Sequence, residues 1–349
     1  MSKTEASLST ADRGGPHQPL IIAKDLKKHF PIRSGLLNRK TATVHAVDGV
    51  SFEVHKGETL GIVGESGCGK STTARLLIGL IELDEGSIIF DGDALGADIK
   101  LKELRRGVQM VFQDSYASLN PRLTIVDSIA FGPKIHGHAD PSGVARDLME
   151  KVGLDPERFA ERYPHELSGG QRQRVNIARA LALSPRLVIL DEAVSALDKS
   201  VEAQVLNLLN DLKEELGLTY VFISHDLNVV RYISDRVLVM YLGEVVEIGP
   251  AETIYAKQAH PYTASLFAAM PSMDPDHRTE EPPLAGDPPN PIDPPTGCRF
   301  HTRCRFAEDI CAQKKPKLSV IGDVPEHLAA CHIQDPASGH SQALKEAAE

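Results

Sequence analysis

Residues 64–72, GESGCGKST, constrain the fold of this chain more than any other stretch. They match the pattern G-x-x-x-x-G-K-[ST], in which glycines let successive backbone N–H groups face one anion and the lysine reaches the terminal phosphates. The pattern has this meaning only between a buried strand and a helix. The apolar run TLGIV precedes it and STTARLLIGL follows it. The sequence therefore predicts an α/β fold with a phosphate-binding turn at the end of one strand.

A second segment, LVILDE, reads as a strand buried on both faces, because its apolar run is continuous. Asp191 at its carboxyl end is predicted to hold Mg²⁺, and Glu192 to orient and deprotonate the attacking water. His225 ends the apolar run TYVFIS, and Gln113 follows another predicted strand. A carboxylate or histidine at a strand end is more often structural, but parallel strands end at one edge of a sheet. We therefore expect these four side chains to lie near Lys70.

The segment HELSGGQRQRVNIARAL places a serine and two glycines at the start of a predicted helix, which makes a second anion site. Its LSGGQ core resembles the signature motif of the ABC-transporter ATPases very closely, and the resemblance extends over residues 21–250. It implies that the signature faces the phosphate-binding loop of an opposing subunit, so that two ATP molecules are sandwiched between two protomers. It also implies an ABC-type P-loop NTPase fold, with a RecA-like parallel-sheet core, an antiparallel β subdomain and a helical insert.

The resemblance assigns each family role to residues of this sequence. The ATP-binding residues are Phe30 (stacked on adenine), Gly64, Glu65, Ser66, Gly67, Cys68, Gly69, Lys70, Ser71 and Thr72. The Mg²⁺ ligands are Ser71, Gln113 and Asp191, and the catalytic residues are Glu192, His225 and Gln113. The signature residues are Ser168, Gly169, Gly170 and Gln171, and the D-loop residues are Ser195, Ala196, Leu197 and Asp198.

Four further segments, including FQDSYASLNPR and AHPYTASLFAAMP, look like the ATPases of oligopeptide/dipeptide importers. Ser115 and Val194 depart from the commonest pattern without removing a functional group. The resemblance implies ATP-driven import of di- or oligopeptides, with a second ATPase subunit (a paralogue or the same chain), two membrane permease subunits and, indirectly, an extracytoplasmic binding protein. Relatives also carry glutathione or nickel chelates, so those cargoes stay open.

Two other classes of function are less well supported by the motifs. A soluble ABC ATPase of translation or DNA repair usually fuses two ATPase domains or inserts long coiled coils, whereas this chain has one copy of each motif. A regulatory subunit with a dead site would not need Lys70, Asp191, Glu192 and His225 intact. The formal net charge of −10 argues against a broad nucleic-acid-binding surface.

The chain shows neither a secretory h-region nor an apolar run long enough to span a membrane. We therefore expect an intracellular protein that acts peripherally at the cytoplasmic face of the membrane, through its partners. The expected organisation is a disordered start (1–19), the ATPase domain (20–250, with the helical insert at about 114–166), a helix and Pro-rich linker (251–295), a four-cysteine extension (296–335) and a flexible tail (336–349).

Four of the five cysteines, Cys298, Cys304, Cys311 and Cys331, fall in the predicted extension. Their spacing is not the paired C-x₂-C that zinc ribbons favour, and four thiolates on loops suit a [4Fe–4S] cluster. Zn²⁺ and plain packing of reduced thiols remain alternatives. The tail PPNPIDPPTGCRFHTRCRFA resembles the extension of the peptide-importer subgroup, whose members are associated with an iron–sulfur cluster, and this favours the cluster.

Overall fold

The computed structural model describes residues 18–34, 39–270, 286 and 289–343. The strands of these ranges are β1 (Pro19–Ser34), β2 (Arg39–His55), β3 (Thr59–Val63), β4 (Glu85–Phe90), β5 (Asp93–Ala94), β6 (Val108–Val111), β7 (Leu187–Asp191), β8 (Thr219–Ile223), β9 (Arg236–Tyr241), β10 (Glu244–Pro250), β11 (Ser319–Ile321) and β12 (Val324–Ala329). The helices are α1 (Lys70–Leu77), α2 (Leu101–Gly107), α3 (Ile125–Ile135), α4 (Pro141–Lys151), α5 (Pro156–Phe159), α6 (Gly169–Leu181), α7 (Lys199–Leu216), α8 (Leu227–Ile233), α9 (Ala251–Ala256), α10 (Pro261–Ala268) and α11 (Asp309–Gln313).

The larger sheet has the order β11-β12-β10-β9-β3-β8-β7-β6 over the described residues. Its centre is parallel: β3 pairs with β8 and β9, and β7 pairs with β6 and β8. Every residue of β3, β7 and β8 is buried, which explains their uninterrupted apolar sequences. The parallel core predicted from the sequence is confirmed, and its strand ends converge on one edge.

The smaller sheet, with the order β2-β1-β4-β5, is antiparallel. It packs over β3 and α1 in one apolar core, in which Leu26, Val50 and Ile62 are fully buried. This is the predicted antiparallel β subdomain. Strand β1 begins at Pro19, the last residue of the segment expected to be disordered, and residues 1–17 lie outside the described residues.

The helical insert consists of α3, α4 and α5, which lead into α6. Thr124 caps α3 through its side chain, and Asp140 caps α4 with a proline at the first helical position. Both helices were expected from the sequence. In the core, Asp198 caps the start of α7, and Gly217 follows its last residue with a left-handed φ of 62°, which is common for a glycine just past a helix end.

The C-terminal extension joins the main sheet. Strand β12 pairs antiparallel with β10, and β11 pairs with β12. The fully buried Glu247 on β10 accepts a hydrogen bond from His327 of β12 at 2.8 Å, as well as the backbone N–H groups of residues 259 and 260. In the segment expected to be a flexible tail, His340 is buried and the Ser338 hydroxyl donates to the carbonyl of His332. The expected linker falls largely on residues 271–285 and 287–288, outside the described residues.

Across the described part of the chain, no helix combines the length and apolarity that crossing a bilayer requires.

Candidate functional site

The phosphate-binding loop connects β3 to α1 in the predicted way. Gly64 and Gly69 have φ values of 146° and 111°. A Cβ at Gly64 would lie 2.2 Å from the carbonyl oxygen of Met240, and one at Gly69 would lie 2.3 Å from that of Ala46. The loop is therefore held against the backbones of β9 and β2, and both positions require glycine.

Lys70 opens α1 and is only 5% exposed. Its Nζ donates to the carbonyl oxygens of Gly64 at 2.7 Å and Glu65 at 3.0 Å. The ammonium is therefore held across the mouth of its own loop, beside the N-terminus of a helix. Loop amides, helix N-terminus and ammonium together attract an anion.

Ser71 and Asp191 bring two side-chain oxygen groups together at the end of β7. The Ser71 hydroxyl donates to Asp191 Oδ1 at 2.8 Å, and Asp191 is 3% exposed. Burial raises the pKa of the Asp191 carboxyl, and the hydrogen bond from Ser71 partly opposes that rise. A hydroxyl beside a buried carboxylate is the donor set that Mg²⁺ prefers next to phosphates.

Glu192, Gln113 and His225 meet at the same edge. Glu192 Oε2 accepts from Gln113 Nε2 at 3.0 Å and lies 3.3 Å from His225 Nδ1. Glu192 has a φ of 48°, which is uncommon for a residue with a Cβ, and its N–H donates to the carbonyl of Ile223 at 2.9 Å. This left-handed residue directs the carboxylate away from β7 and toward Gln113 and His225.

Glu192, Gln113 and His225 line a cleft of about 380 Å³ together with Lys70, Ser71 and other residues of the phosphate-binding loop. Asp191 lines the neighbouring groove instead, and reaches the cleft through its hydrogen bond with Ser71. Val44 and Ala46 of β2 line the cleft too, and sequence reasoning missed both because an apolar residue in a strand carries no distinctive signal. Phe30 lies opposite Val44 in the β1–β2 ladder and is 39% exposed, so it stands beside the cleft rather than in its lining. The Lys28 ammonium sits 5.6 Å from the centre of its ring.

The signature and the D-loop form a separate surface. Ser168 caps α6 by accepting from the Gln171 N–H at 3.3 Å, and Gln171 Oε1 accepts from the Ser168 N–H at 2.9 Å. A Cβ on Gly170 would meet Val201 Cγ1 at 2.5 Å, so α6 begins directly against the first turn of α7, which Asp198 caps. Within the described residues, no member of 168–171 lines the cleft of its own chain.

The four cysteines of the extension are brought around one small closed cavity. Burial and the neighbouring cysteines raise the pKa of Cys298 to about 12 and that of Cys331 to about 11. The Cys298 N–H donates to the Cys311 carbonyl at 2.7 Å. The cavity is lined by Cys298, Cys304, Cys311, Cys331 and a ring of aromatic and histidine side chains. Cys68 is buried apart from them in the phosphate-binding loop.

The extension also touches the phosphate-binding loop, which sequence reasoning missed. Arg303 donates to Glu65 through both terminal nitrogens, at 2.8 and 3.1 Å, and the Tyr262 hydroxyl accepts the Glu65 N–H at 2.8 Å. Phe300 lies edge-on to Tyr241 and Tyr262, with 5.4 Å between ring centroids in each case. The residue next to Cys304 is thus anchored on the loop that carries Lys70.

Comparison with known families agrees with this geometry. The family described as "ABC transporter" matches residues 47–195. The family described as "Oligopeptide/dipeptide transporter, C-terminal region" matches residues 246–311, which include three of the four clustered cysteines.

Individual relatives give the same picture. The glutathione import ATP-binding protein GsiA of Salmonella paratyphi A is 53% identical over 277 residues, which are 77% of this chain and 44% of that protein. GsiA of Escherichia coli strain K12 is 52% identical over 275 residues, with the same coverage. This chain thus spans less than half the length of these relatives. A solved dimeric structure, a post-hydrolysis state of the ATP-binding cassette MJ0796 bound to ADP and Pi, is 30% identical with a TM-score of 0.57 over 66% of this chain and 98% of that chain. The chain belongs to the ATP-binding cassette family.

Proposed function

We propose that this chain is the ATP-hydrolysing subunit of a membrane importer for di- or oligopeptides. One observation carries the proposal: Glu192, Gln113 and His225 meet at the cleft that Lys70 and Ser71 also line. The Ser71 hydroxyl in turn is hydrogen-bonded to Asp191. Loop amides, an ammonium, two oxygen donors for Mg²⁺ and a carboxylate for the base role together support the hydrolysis of a nucleoside triphosphate. The match of residues 246–311 to the oligopeptide/dipeptide C-terminal region supports the transporter class.

In the proposed reaction the triphosphate lies along residues 64–72, with the adenine beside Phe30. Lys70 exchanges the Gly64 and Glu65 carbonyls for phosphate oxygens. Ser71 and Asp191, with Gln113, are the residues that would hold Mg²⁺, which neutralises charge on the β- and γ-phosphates.

Glu192 acts as the general base on the attacking water. Gln113 and His225 position its carboxylate, since both contact the same Oε2 atom. Assistance of this kind typically contributes 10²–10⁴-fold to the rate. We also propose that His225 contacts the γ-phosphate, because it lines the cleft and its side chain is 62% exposed.

The active unit is proposed to be a dimer in which Ser168, Gly169, Gly170 and Gln171 complete the ATP site of the opposing subunit. The capped N-terminus of α6, a helix of 13 residues, has donors for an anion but does not line its own chain's cleft. The MJ0796 relative is described as dimeric. The second subunit is either a copy of this chain or a paralogue, and Ser195 to Asp198 lie at the same surface.

The membrane permeases are proposed to dock on the groove beside the Gln113 loop. This groove, of about 720 Å³, lies between the core and the helical insert, and Gln113, Asp114 and Ala117 line it on one side. Phe131 on α3 lines it on the other and is 56% exposed. Closure of the dimer would move the helical insert and, through it, the permeases. The chain would be held peripherally at the cytoplasmic face of the membrane by these contacts. A binding protein outside the membrane would deliver the cargo.

Glutathione is the alternative cargo, favoured by the relatives described as glutathione import proteins. Nickel chelates follow as a third class. Selectivity for the cargo belongs to the permeases and the binding protein. The test is therefore to co-express the chain with the neighbouring permease genes and to compare the uptake of labelled dipeptide with that of labelled glutathione. Recovery of the chain without membranes under all conditions would favour a soluble ABC ATPase.

The four cysteines are proposed to hold a [4Fe–4S] cluster. They line one cavity, yet no three of these described sulfurs lie within 4.8 Å of one another. A tetrahedral Zn²⁺ with Zn–S bonds of about 2.3 Å needs sulfurs about 3.8 Å apart. The wider arrangement suits a larger polynuclear group, which would cross-link these loops. Without such a group, burial keeps the thiols protonated. Iron, zinc and acid-labile sulfide on protein purified without oxygen decide among a cluster, zinc and plain packing.

The central test of the ATPase is Glu192→Gln. We expect phosphate release to stop while ATP still binds, so that an ATP-bound dimer accumulates in size-exclusion chromatography. Glu157→Gln serves as a control, because this glutamate lies on the helical insert with its side chain 90% exposed and is not among the residues that line the cleft. Wild-type turnover in Glu192→Gln would overturn the proposed role.

A further inference from the structure

A cross-strand pair of histidines lies on the β1–β2 ribbon, outside the lining of the nucleotide cleft. His29 and His45 are direct partners in the antiparallel ladder, and their ring centroids are 4.2 Å apart. Directly opposed residues of an antiparallel pair have Cβ atoms only about 4.5–5.5 Å apart. The backbone of the ribbon therefore brings the two imidazoles together.

Asp48 lies beside both rings. Its Oδ1 is 3.1 Å from His29 Nε2, and its Oδ2 is 3.6 Å from His45 Nδ1. One ligand atom from each residue falls within 4.8 Å of the other two, and no other histidine, cysteine or carboxylate trio in the described ranges is so arranged. Ligand atoms around a tetrahedral Zn²⁺, with bonds of about 2.0–2.1 Å, lie about 3.3 Å apart. Both measured pairs are close to that spacing.

The Nδ1 atom of His45 is buried and has no hydrogen-bond partner among the described residues. An unpaired buried nitrogen is costly, and most such groups in folded proteins find a partner. A neutral imidazole nitrogen is a metal ligand. A cation between the two rings and the carboxylate would satisfy this nitrogen.

Asp48 is itself held in place by the C-terminal extension. The Arg299 guanidinium donates to Asp48 Oδ2 and lies 3.0 Å from Glu244 Oε1. Ligating carboxylates are commonly fixed by such outer contacts. Because the guanidinium also brings a positive charge to the carboxylate, we expect a site of moderate rather than tight affinity.

We propose that His29, His45 and Asp48 bind one divalent transition-metal ion, with Zn²⁺ the best chemical match and water in the remaining position. Two imidazoles and one carboxylate suit Zn²⁺ better than Mg²⁺ or Ca²⁺, which prefer oxygen ligands. Bound metal would join β1 to β2 next to Phe30 and, through Asp48 and Arg299, to the extension. The proposal depends neither on ATP hydrolysis nor on the four cysteines.

The test is titration of the full-length protein with Co²⁺, without nucleotide or Mg²⁺. We expect a visible d–d absorption whose histidine-dependent part saturates at one Co²⁺ per chain and disappears when Zn²⁺ is added. Cobalt on the cysteines would be recognised separately by its thiolate charge-transfer band in the near ultraviolet. His29→Gln and His45→Gln should each weaken binding at least ~10-fold. The matched control is His138→Gln, because His138 is exposed on the helical insert.

Cobalt absorption that is unchanged in both histidine variants and consists of thiolate charge transfer would place all the cobalt on the cysteines and overturn the proposal. So would the absence of saturable binding at millimolar Co²⁺. A second measurement needs no variant: the electron paramagnetic resonance spectrum of the Cu²⁺-loaded protein should show coupling to two nitrogens, and a sulfur-ligated spectrum would contradict the site.

Discussion

The contact between Arg303 and Glu65 joins the extension to the phosphate-binding loop. The two side chains are 6% and 21% exposed, and the pair has bidentate geometry. Glu65 supplies one of the carbonyls that hold Lys70, and its N–H is fixed by Tyr262. We therefore predict that Arg303→Ala weakens nucleotide binding although Arg303 is 238 residues away in sequence.

The magnitude follows from the contacts that are lost. A hydrogen bond to a charged group contributes about 1.5–3 kcal/mol, and two are broken here. Because Glu65 is partly exposed, water can hydrogen-bond to its carboxylate in the variant and compensate some of the lost free energy. Part of the remaining loss should appear as lower stability of the extension and not as weaker nucleotide binding. About 1–2 kcal/mol should remain in the binding free energy, which corresponds to a ~5–30-fold rise in Kd.

Equilibrium binding of a fluorescent ATP analogue, measured on the folded full-length protein, tests this. Glu65→Ala should weaken binding similarly, and the double variant should be no worse than either single one, because both changes remove the same interaction. Arg305→Ala is the matched control: it lies in the same segment, is exposed and packs on the Phe306 ring. A Kd within twofold of wild type for Arg303→Ala, or additive effects in the double variant, would refute the reasoning.

Three further predictions concern the loop, the extension and the catalytic edge. In a urea titration, Gly69→Ala should lower the free energy of unfolding by more than ~2 kcal/mol, since its Cβ would meet the Ala46 carbonyl. Gly137→Ala is the control, because Gly137 has a φ of 75° but open space around it; its free energy of unfolding should fall by only about 1 kcal/mol. Burial alone would raise the pKa of Glu247, but its hydrogen bonds, led by the one from His327, lower this pKa below 4.5. The ionised Glu247 therefore stabilises the fold above pH 4.5, and this stabilisation is lost as the pH falls below that value. Glu247→Gln should therefore flatten the acid limb of Tm against pH, and an unchanged limb would contradict this assignment. His225→Ala should lower kcat for phosphate release by at least ~10-fold with a much smaller change in ATP affinity, and equal losses in both would assign His225 to binding instead.

Local sequence determined much of the architecture. The phosphate-binding loop, the buried strands β3, β7 and β8, the caps of α3, α4 and α7 and the β9–β10 hairpin all follow from patterns a few residues long. Such patterns are informative because a glycine at positive φ, a capping side chain or a continuous apolar run meets a requirement set by its immediate neighbours. The grouping of Glu192, Gln113 and His225 was also predictable, since parallel strands end at one edge.

Only the tertiary structure decided how the C-terminal part is used. Strand β12 is short and half exposed, and it pairs with β10 because Glu247 is buried where His327 can reach it, 80 residues away. Arg303 has no distinctive signal in the sequence, and Glu65 was predicted only as a member of the phosphate-binding loop, with no partner. The His29, His45 and Asp48 group likewise depends on the register of two strands. Contacts between residues far apart in sequence are set by packing of the whole chain, and no local propensity encodes them.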